Sequence, residues 1–155
     1  MIARYIFIAS IKCFLCYNGS MEQNVKTIQF GEHVTIDGYG GDFDLLNNEK
    51  IISHVLSDLP QTLGMKKLSV PMVVSARDNG LQDPGGWSGF VIIAESHIAI
   101  HTFPKRRFVS ADVYTCQHGM DVKKIIDYFT ETFKLSDVET NFLKRGTRYP
   151  AENLI

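Results

Sequence analysis

The stretch FVIIAESHIAIHTF, residues 90–103, decides the fold and carries the densest chemistry of the chain. Its apolar run over residues 90–94 continues into Ile98 and Ile100, and β-rich sequence returns over residues 108–114. Apolar runs and alternations of this kind predict strands that are buried on at least one face. We therefore expect two strands joined across residues 103–107, with the polar side chains of the stretch carried on this hairpin.

The flanking sequence alternates between strand and helix patterns. Strands are predicted over residues 29–39 and 68–76, amphipathic helices over 44–63 and 121–133, and a glycine-containing loop over 77–86. Strands followed by a helix, twice along the chain, are typical of an α+β fold. We predict a two-layer sandwich in which an antiparallel sheet is covered on one face by helices.

Composition limits the class of protein. The 155 residues are 45% apolar and 21% charged, which suits one domain with a real core. A formal net charge of -1 gives no sign of a nucleic-acid-binding face, so a small-molecule substrate or a protein partner is favoured. Three cysteines without a regular framework favour a reducing compartment, and we predict the cytoplasm.

The first twenty residues are treated separately from the domain. Their apolar part is interrupted by Lys12, is too short to span a bilayer and is followed by no small-residue cleavage site, so a membrane anchor is not expected. Met21 opens a polar segment that leads directly into the patterned sequence. We predict that residues 1–20 are a dispensable extension and that residues 21–155 form a single domain.

The candidate chemistry centres on Ser96, with His97 and His101 on the same predicted strand and Cys116 beyond the next one. A hydroxyl can attack a carbonyl when a base accepts its proton, and a thiol can act as nucleophile or proton donor. Side chains alternate along a strand, so His97 and His101 share a face while Ser96 points to the other. A Ser96–His101 contact therefore requires a bend, a bulge or a chain break near Ser96.

Four short motifs stand out in the sequence: Gly31–His33 with Gly40–Asp42, Gly86–Gly89, Glu95–Ile98 followed by His101 and Thr102, and Asp112–Cys116. Ser88 precedes Ser96 by eight residues, and His101 and Cys116 follow Ser96 by five and twenty residues. These motifs and spacings resemble those of the prokaryotic-type S-adenosylmethionine decarboxylase proenzymes, a self-cleaving pyruvoyl family, over residues 28–149.

The resemblance implies that the chain makes its own cofactor. The Ser96 hydroxyl would attack the carbonyl of Glu95 and turn the peptide bond into an ester, with Ser88 helping to hold the oxygen. His101 would remove the α-proton of Ser96, and elimination and hydrolysis would leave a pyruvoyl group on a new chain that begins at residue 96. A decarboxylase needs such an electrophilic carbonyl as an electron sink.

The resemblance also implies a role for the thiol and an assembly. Cys116 would return a proton to the substrate after carbon dioxide leaves, because an ordinary thiol, with a pKa near ~8.5, is mostly protonated at neutral pH. In the family, protomers made of the two cleaved chains associate through their sheets. We therefore expect a homo-oligomer.

The substrate is left open between two classes. Phe103 offers a ring for stacking on adenine, but Lys105 stands where the family has a carboxylate that accepts hydrogen bonds from ribose. The first candidate is S-adenosylmethionine, and the alternative is arginine or ornithine, acted on by pyruvoyl relatives that need no adenosine pocket. For a basic amino acid, Asp37, Asp42 and Asp83 are unassigned candidates for pairing with the side-chain cation.

Other interpretations remain beside the pyruvoyl enzyme, for which no metal is expected. Zinc could take nitrogen and sulfur ligands from His97, His101, Cys116 and His118, although their spacing matches no compact zinc motif. A non-catalytic paralogue is a third possibility, against which the joint presence of Ser88, Ser96, His101 and Cys116 argues. We expect His97 and His33 to be structural and Asp112 to be an ordinary strand-face carboxylate.

Overall fold

The computed structural model describes residues 27–152. The predictions for residues 1–20 and for a start at Met21 therefore lie outside the described residues. Among residues 27–152, no helix has the length and apolar character needed to cross a membrane.

A six-stranded antiparallel sheet organises the described residues. The strands are β1 Thr27–Ile28, β2 Gly31–Tyr39, β3 Met72–Ala76, β4 Gly86–Ile93, β5 Ser96–Phe103, β6 Phe108–Thr115, β7 Asp137–Arg145 and β8 Tyr149–Pro150. The sheet order is β3-β4-β5-β6-β2-β7, and β1 pairs separately with β8. Each neighbouring pair in the large sheet is antiparallel, as predicted.

Helices cover one face of this sheet and confirm the predicted α+β sandwich. They are α1 Phe43–Leu46, α2 Glu49–Thr62 and α3 Val122–Phe133, with a 3-10 turn at Pro104–Arg106. The predicted helix over 44–63 is two helices, because the side chain of Asn48 accepts hydrogen bonds from the backbone N–H groups of Lys50 and Ile51 and starts α2 afresh. Asp121 caps α3 in a similar way.

Alternation along the strands divides the sheet into a buried and an open face. Val91 and Ile93 on β4 and Ile98 and Ile100 on β5 are almost wholly buried beneath the helices. On the opposite face, Phe90 and its neighbours Met72, Val74 and Ile92 are exposed. We call this second surface the open face. It carries most of the polar residues that the sequence singled out.

One prediction about the central strands is wrong. Two strands joined across residues 103–107 were predicted, but the region before that connection is itself two strands, because Ile93 lies directly opposite Ser96 and a two-residue turn at Ala94 and Glu95 joins β4 to β5. Neither turn residue is Gly, Pro, Asn or Asp, so local composition gave no turn signal. The strand β7 was also not predicted, since most of its residues are exposed and give no regular apolar alternation.

Candidate active site

The Glu95–Ser96 peptide bond lies where the β4–β5 turn enters β5. The backbone N–H of Cys116 donates a hydrogen bond to the carbonyl oxygen of Glu95 at 3.1 Å. Ser96 is opposite Thr115 across β5 and β6 and has a φ of 157°, a positive value that residues with side chains rarely adopt. The sheet therefore brings the predicted nucleophile, the predicted scissile carbonyl and the predicted thiol residue to one edge.

A chain of polar contacts runs from Ser96 across the open face. Ser96 Oγ lies 3.1 Å from His97 Nδ1, and His97 Nε2 lies 3.4 Å from Asp112 Oδ2. The same Asp112 oxygen lies 3.1 Å from His33 Nε2, and Arg145 Nη1 lies 2.9 Å from His33 Nδ1. We call these five residues the Ser96 cluster. It joins four adjacent strands, β5, β6, β2 and β7.

Tyr114 lies at the centre of this cluster. Its ring centroid is 5.8 Å from that of His97 and 5.5 Å from that of His33, and the guanidinium carbon of Arg145 lies 4.8 Å from it. The ring therefore restrains both imidazoles and takes a cation–π contact from the arginine. His97, expected to be structural, directly contacts the proposed nucleophile.

His33, Asp112 and Arg145 were not predicted as site residues. Period-two alternation puts Asp112 and Tyr114 on one face of β6, and this was readable from the sequence. What the sequence did not contain was the strand order that lays β2 beside β6 and β7 beside β2. That order brings together residues separated by 79 positions for His33 and Asp112 and by 112 for His33 and Arg145.

His101 lies apart from Ser96 within the protomer. Its Nδ1 is 2.9 Å from Ser88 Oγ, and the two residues are direct partners across β4 and β5. A strand advances about 3.3 Å per residue, so the five positions between Ser96 and His101 correspond to about 16 Å. We call this second group the Ser88–His101 pair. A Ser96–His101 contact, predicted to need a bend or a break, is not made in this chain.

Apolar residues surround the Ser88–His101 pair. A cavity of about 160 Å³ on the open face is lined by Met72, Val74, Ser88, Gly89, Phe90, Ala99 and His101. The lining side chains Met72 and Val74 are 51% and 54% exposed, so this cavity opens onto an exposed apolar surface.

The side chain of Glu95 has a buried oxygen, Oε2, that has no hydrogen-bond partner in the described part of the chain. A buried carboxylate oxygen in this state costs stability, so such atoms are often associated with a functional site.

Phe103 and Lys105 lie at the other end of β5. Phe103 stacks on Phe108 with ring centroids 5.6 Å apart, beside a cavity of about 400 Å³ that Gln82 and Arg106 also line. Lys105 Nζ binds Asp78 Oδ2 at 3.1 Å, so its charge is paired.

Asp78 is itself held as a carboxylate. The backbone N–H of Gly80 donates to it at 2.8 Å, and this bond, followed by the hydrogen bond from Lys105, lowers the pKa of Asp78 from its usual value. The Asp78 carboxylate therefore lies next to Lys105, the position at which the family has a carboxylate and this chain has a lysine.

The other predicted cation partners have local roles or neighbours of their own. Asp42 caps α1, and Asp83 accepts a hydrogen bond from the backbone N–H of Gly85. Asp37 is placed opposite Ser110 and Glu139 within the sheet. None of these contacts singles out a site for a basic amino acid.

The zinc interpretation finds no geometric support. His97 and His101 lie at different points of the open face, and His118 Nδ1 is 3.9 Å from Glu32 Oε1. Over residues 27–152, no group of three or more histidine, cysteine, aspartate or glutamate side chains could hold a metal ion.

Comparison with known proteins identifies the family of the chain. The family model described as S-adenosylmethionine decarboxylase matches residues 32–146. An S-adenosylmethionine decarboxylase proenzyme of Clostridium botulinum strain Hall is 35% identical over 116 residues, covering 75% of this chain and 94% of the relative. The corresponding proenzyme of Brevibacillus brevis strain 47 is 33% identical over 117 residues, covering 76% and 83%.

A solved structure shares the fold. The crystal structure of the adenosylmethionine decarboxylase from Aquifex aeolicus VF5 superposes with a TM-score of 0.65 and 27% sequence identity, covering 77% of this chain and 92% of that one. The fold and site thus define a self-processing α+β carboxy-lyase. The chain belongs to the S-adenosylmethionine decarboxylase family.

Family membership confirms three predictions: the resemblance itself, an enzyme of the carboxy-lyase type, and a pyruvoyl cofactor formed by self-cleavage of a proenzyme. The arginine and ornithine alternative finds no support in these comparisons. The residues of this chain fit the cofactor, because a serine stands at a hairpin junction with a backbone donor on the preceding carbonyl and a cysteine at the same edge.

Proposed function

We propose that this chain is a proenzyme that cleaves itself between Glu95 and Ser96 and then converts S-adenosylmethionine to decarboxylated S-adenosylmethionine and carbon dioxide. The observation that carries the proposal is the Glu95–Ser96 junction, where the carbonyl oxygen of Glu95 already accepts the Cys116 N–H at 3.1 Å. Cleavage divides the chain into residues 1–95 and 96–155, and both pieces contribute to the single domain of residues 21–155. The proposed location is the cytoplasm, where the Cys116 thiol stays reduced.

The first step is an acyl shift from nitrogen to oxygen. The Ser96 hydroxyl attacks the Glu95 carbonyl, whose oxygen gains negative charge as the tetrahedral intermediate forms. The N–H of Cys116 points at this oxygen, and donors aimed at developing charge are a main source of catalysis. Collapse of the intermediate breaks the peptide C–N bond and leaves an ester between residues 95 and 96.

The second step is elimination, for which His101 is the proposed base and Ser88 its partner. His101 would take the α-proton of Ser96 while the Cβ–Oγ bond breaks and the first chain leaves with a main-chain carboxylate at Glu95. The dehydroalanine left at position 96 tautomerises to an imine, and its hydrolysis releases ammonia and gives the pyruvoyl terminus. Ser88 is bonded to His101 at 2.9 Å, so its hydroxyl can orient this ring or help hold the oxygen.

His101 and Ser88 must reach Ser96 from a second copy, because about 16 Å separates Ser96 from His101 along β5. The exposed apolar side chains of the open face suit packing against another sheet. Sheets pack face to face at about 10 Å, a separation that side chains bridge easily. The proposed enzyme is therefore a homo-oligomer in which the partner's His101 and the partner's Ser88 serve Ser96.

Decarboxylation uses residues of the same edge. The pyruvoyl group supplies an electrophilic carbonyl that accepts the electron pair released with carbon dioxide. Cys116 is the proposed donor of the proton that the substrate α-carbon then requires. It is a free, half-buried thiol next to the junction.

For substrate binding we propose the stacked pair of Phe103 and Phe108 as the platform for adenine. Lys105 is paired with Asp78, so the two charges largely offset each other near a sulfonium substrate. Asp78 also offers oxygen atoms that can accept hydrogen bonds from ribose, as an ammonium cannot.

Denatured intact mass of freshly purified protein tests the proposal. The expected result is two chains cut between Glu95 and Ser96, the second lighter than its sequence by the elements of ammonia. Release of carbon dioxide from carboxyl-labelled S-adenosylmethionine, compared with labelled arginine and ornithine, tests the substrate. A single uncut chain without activity would contradict the proposal and favour the paralogue.

A further inference from the structure

We propose that His97 is the base that accepts the Ser96 hydroxyl proton in the acyl shift, and that Asp112, His33 and Arg145 position it. This inference rests on the proposed self-cleavage and assigns its first proton transfer. The proposal is based on two contacts of His97. Its Nδ1 lies 3.1 Å from Ser96 Oγ, and its Nε2 lies 3.4 Å from Asp112 Oδ2. A hydroxyl, an imidazole and a carboxylate in this order resemble a Ser-His-Asp catalytic triad, in which the imidazole accepts the hydroxyl proton and the carboxylate orients the imidazole.

Arg145 determines the protonation of the far end of the chain. A guanidinium can only donate hydrogen bonds, so His33 Nδ1, at 2.9 Å from Arg145 Nη1, must be an acceptor. The ring proton of His33 then lies on Nε2 and is donated to Asp112 at 3.1 Å. This bond fixes the position of the Asp112 carboxylate.

The fixed carboxylate in turn selects the tautomer of His97. A proton on His97 Nε2 faces Asp112 Oδ2, whereas a lone pair there would face a negative charge. The favoured tautomer leaves Nδ1 unprotonated and directed at the Ser96 hydroxyl. Nδ1 is therefore ready to accept a proton, and Asp112 stabilises the imidazolium that forms.

The proton and electron balance is complete within the protein. As Ser96 Oγ forms its bond to the Glu95 carbonyl carbon, the hydroxyl proton moves to His97 Nδ1. When the C–N bond breaks, its electron pair goes to the nitrogen of Ser96, which takes the same proton back from His97. The products are an ester and a free amine, and no oxidant, reductant or other reactant is consumed.

The division of work between the two histidines follows from their positions. His97 touches the hydroxyl within the same chain, while His101 lies about 16 Å along β5 and is bonded to Ser88. Ionisable groups that face His97 are Asp112 and Tyr114, from the adjacent strand β6. His97 thus serves the acyl shift, and His101 remains free for the later elimination.

The test isolates the acyl shift by trapping the ester. In a His101→Ala background the elimination is blocked, and hydroxylamine added to the native protein cuts each ester as it forms. The cut gives a Glu95 hydroxamate and a second chain that begins with unmodified Ser96, both identified by mass. The variants compared are His101→Ala, His97→Asn with His101→Ala, and a matched control, His54→Asn with His101→Ala, since His54 is exposed on α2.

We expect the trapping rate to fall about 100-fold with His97→Asn and to be unchanged with His54→Asn. Asparagine can accept the Ser96 hydrogen bond but cannot take its proton, so a merely structural role would leave the rate intact. Asp112→Asn is a second variant and should slow trapping in the same direction. Equal thermal midpoints for the His97 and His54 variants exclude a folding defect.

The inference and the proposed function fail in different ways. If the His101→Ala chain and the His97→Asn chain with His101→Ala are trapped by hydroxylamine at the same rate, the base assignment is overturned while self-cleavage stands. If the unaltered chain neither cleaves nor yields a hydroxylamine product, the proposed self-cleavage itself is contradicted.

Discussion

The Ser96 cluster and the Ser88–His101 pair belong to one sheet but differ in how complete they are. The Ser96 cluster links four strands through contacts of 2.9 to 3.4 Å, and each of its polar members has a partner. The Ser88–His101 pair is a single contact of 2.9 Å in an apolar cavity. The first brings the proposed nucleophile, its proposed base and the proposed target carbonyl together, whereas the second contacts no reacting atom proposed in its own chain.

This difference indicates a division of the chemistry. The groups proposed to open the Glu95–Ser96 bond are assembled by the fold of one protomer. The groups proposed for the later proton abstraction lie on a surface with exposed hydrophobic side chains, and in the proposed enzyme a second copy completes them. Substitutions in either group test this division, and the largest effect is expected at the proposed nucleophile.

Replacing the proposed nucleophile should abolish both self-cleavage and decarboxylation. We expect Ser96→Ala to give one uncut chain and no decarboxylation, because neither the ester nor the pyruvoyl group can form without the hydroxyl. Intact mass and carbon dioxide release measure both losses. Ser110→Ala, a hydroxyl on the neighbouring strand β6, is the matched control and should cleave. Cleavage of Ser96→Ala at the same bond would remove the Ser96 cluster from the mechanism.

Mixing two inactive chains tests whether the pair acts across the interface. Alone, Ser96→Ala and His101→Ala should each fail to form the pyruvoyl group. Produced together, they should yield cleaved His101→Ala chains, because the partner's His101 on a Ser96→Ala chain reaches the intact Ser96. Mass spectrometry distinguishes the two chains. Absence of cleavage in mixed oligomers, with both chains shown to associate, would mean that His101 acts within its own protomer.

Loss of the thiol should separate processing from turnover. We expect Cys116→Ala to cut its chain, because the donor to the Glu95 carbonyl is the Cys116 backbone N–H and survives the change. Its decarboxylation rate should fall about 100-fold, the typical effect of removing a general acid. Single-turnover carbon dioxide release and product analysis measure this step. An unchanged kcat would reassign the proton donor.

The smallest effect is expected at the substrate end of β5. Asp78→Asn should raise KM for S-adenosylmethionine about two- to fivefold with little change in kcat, because Lys105 is then an unpaired cation near a sulfonium. Adding Lys105→Gln to Asp78→Asn should return KM toward its original value. If KM is the same in both variants as in the unaltered enzyme, the substrate does not bind near this ion pair.

Several elements were predictable because they depend on local pattern. The helical spacing over residues 44–63 and 121–133 and the apolar runs of β4, β5 and β6 predicted the α+β sandwich. The turn at Ala94 and Glu95 was missed, because no residue there has a turn preference and the hairpin is imposed by pairing across β4 and β5. β7 was missed for a related reason, since it is a mostly exposed edge strand beside β2.

Four residues of the proposed covalent mechanism were visible in the sequence: Ser88, Ser96, His101 and Cys116, at the spacing that carries the family resemblance. Their chemistry follows from residue type, which is a local property. Which of them meet is a matter of strand order and register, which join positions far apart in the chain. Only the folded sheet puts His97 rather than His101 beside Ser96, and sets Asp112, His33 and Arg145 behind it. Hydrogen bonds of about 3 Å depend on tertiary packing that no local pattern encodes.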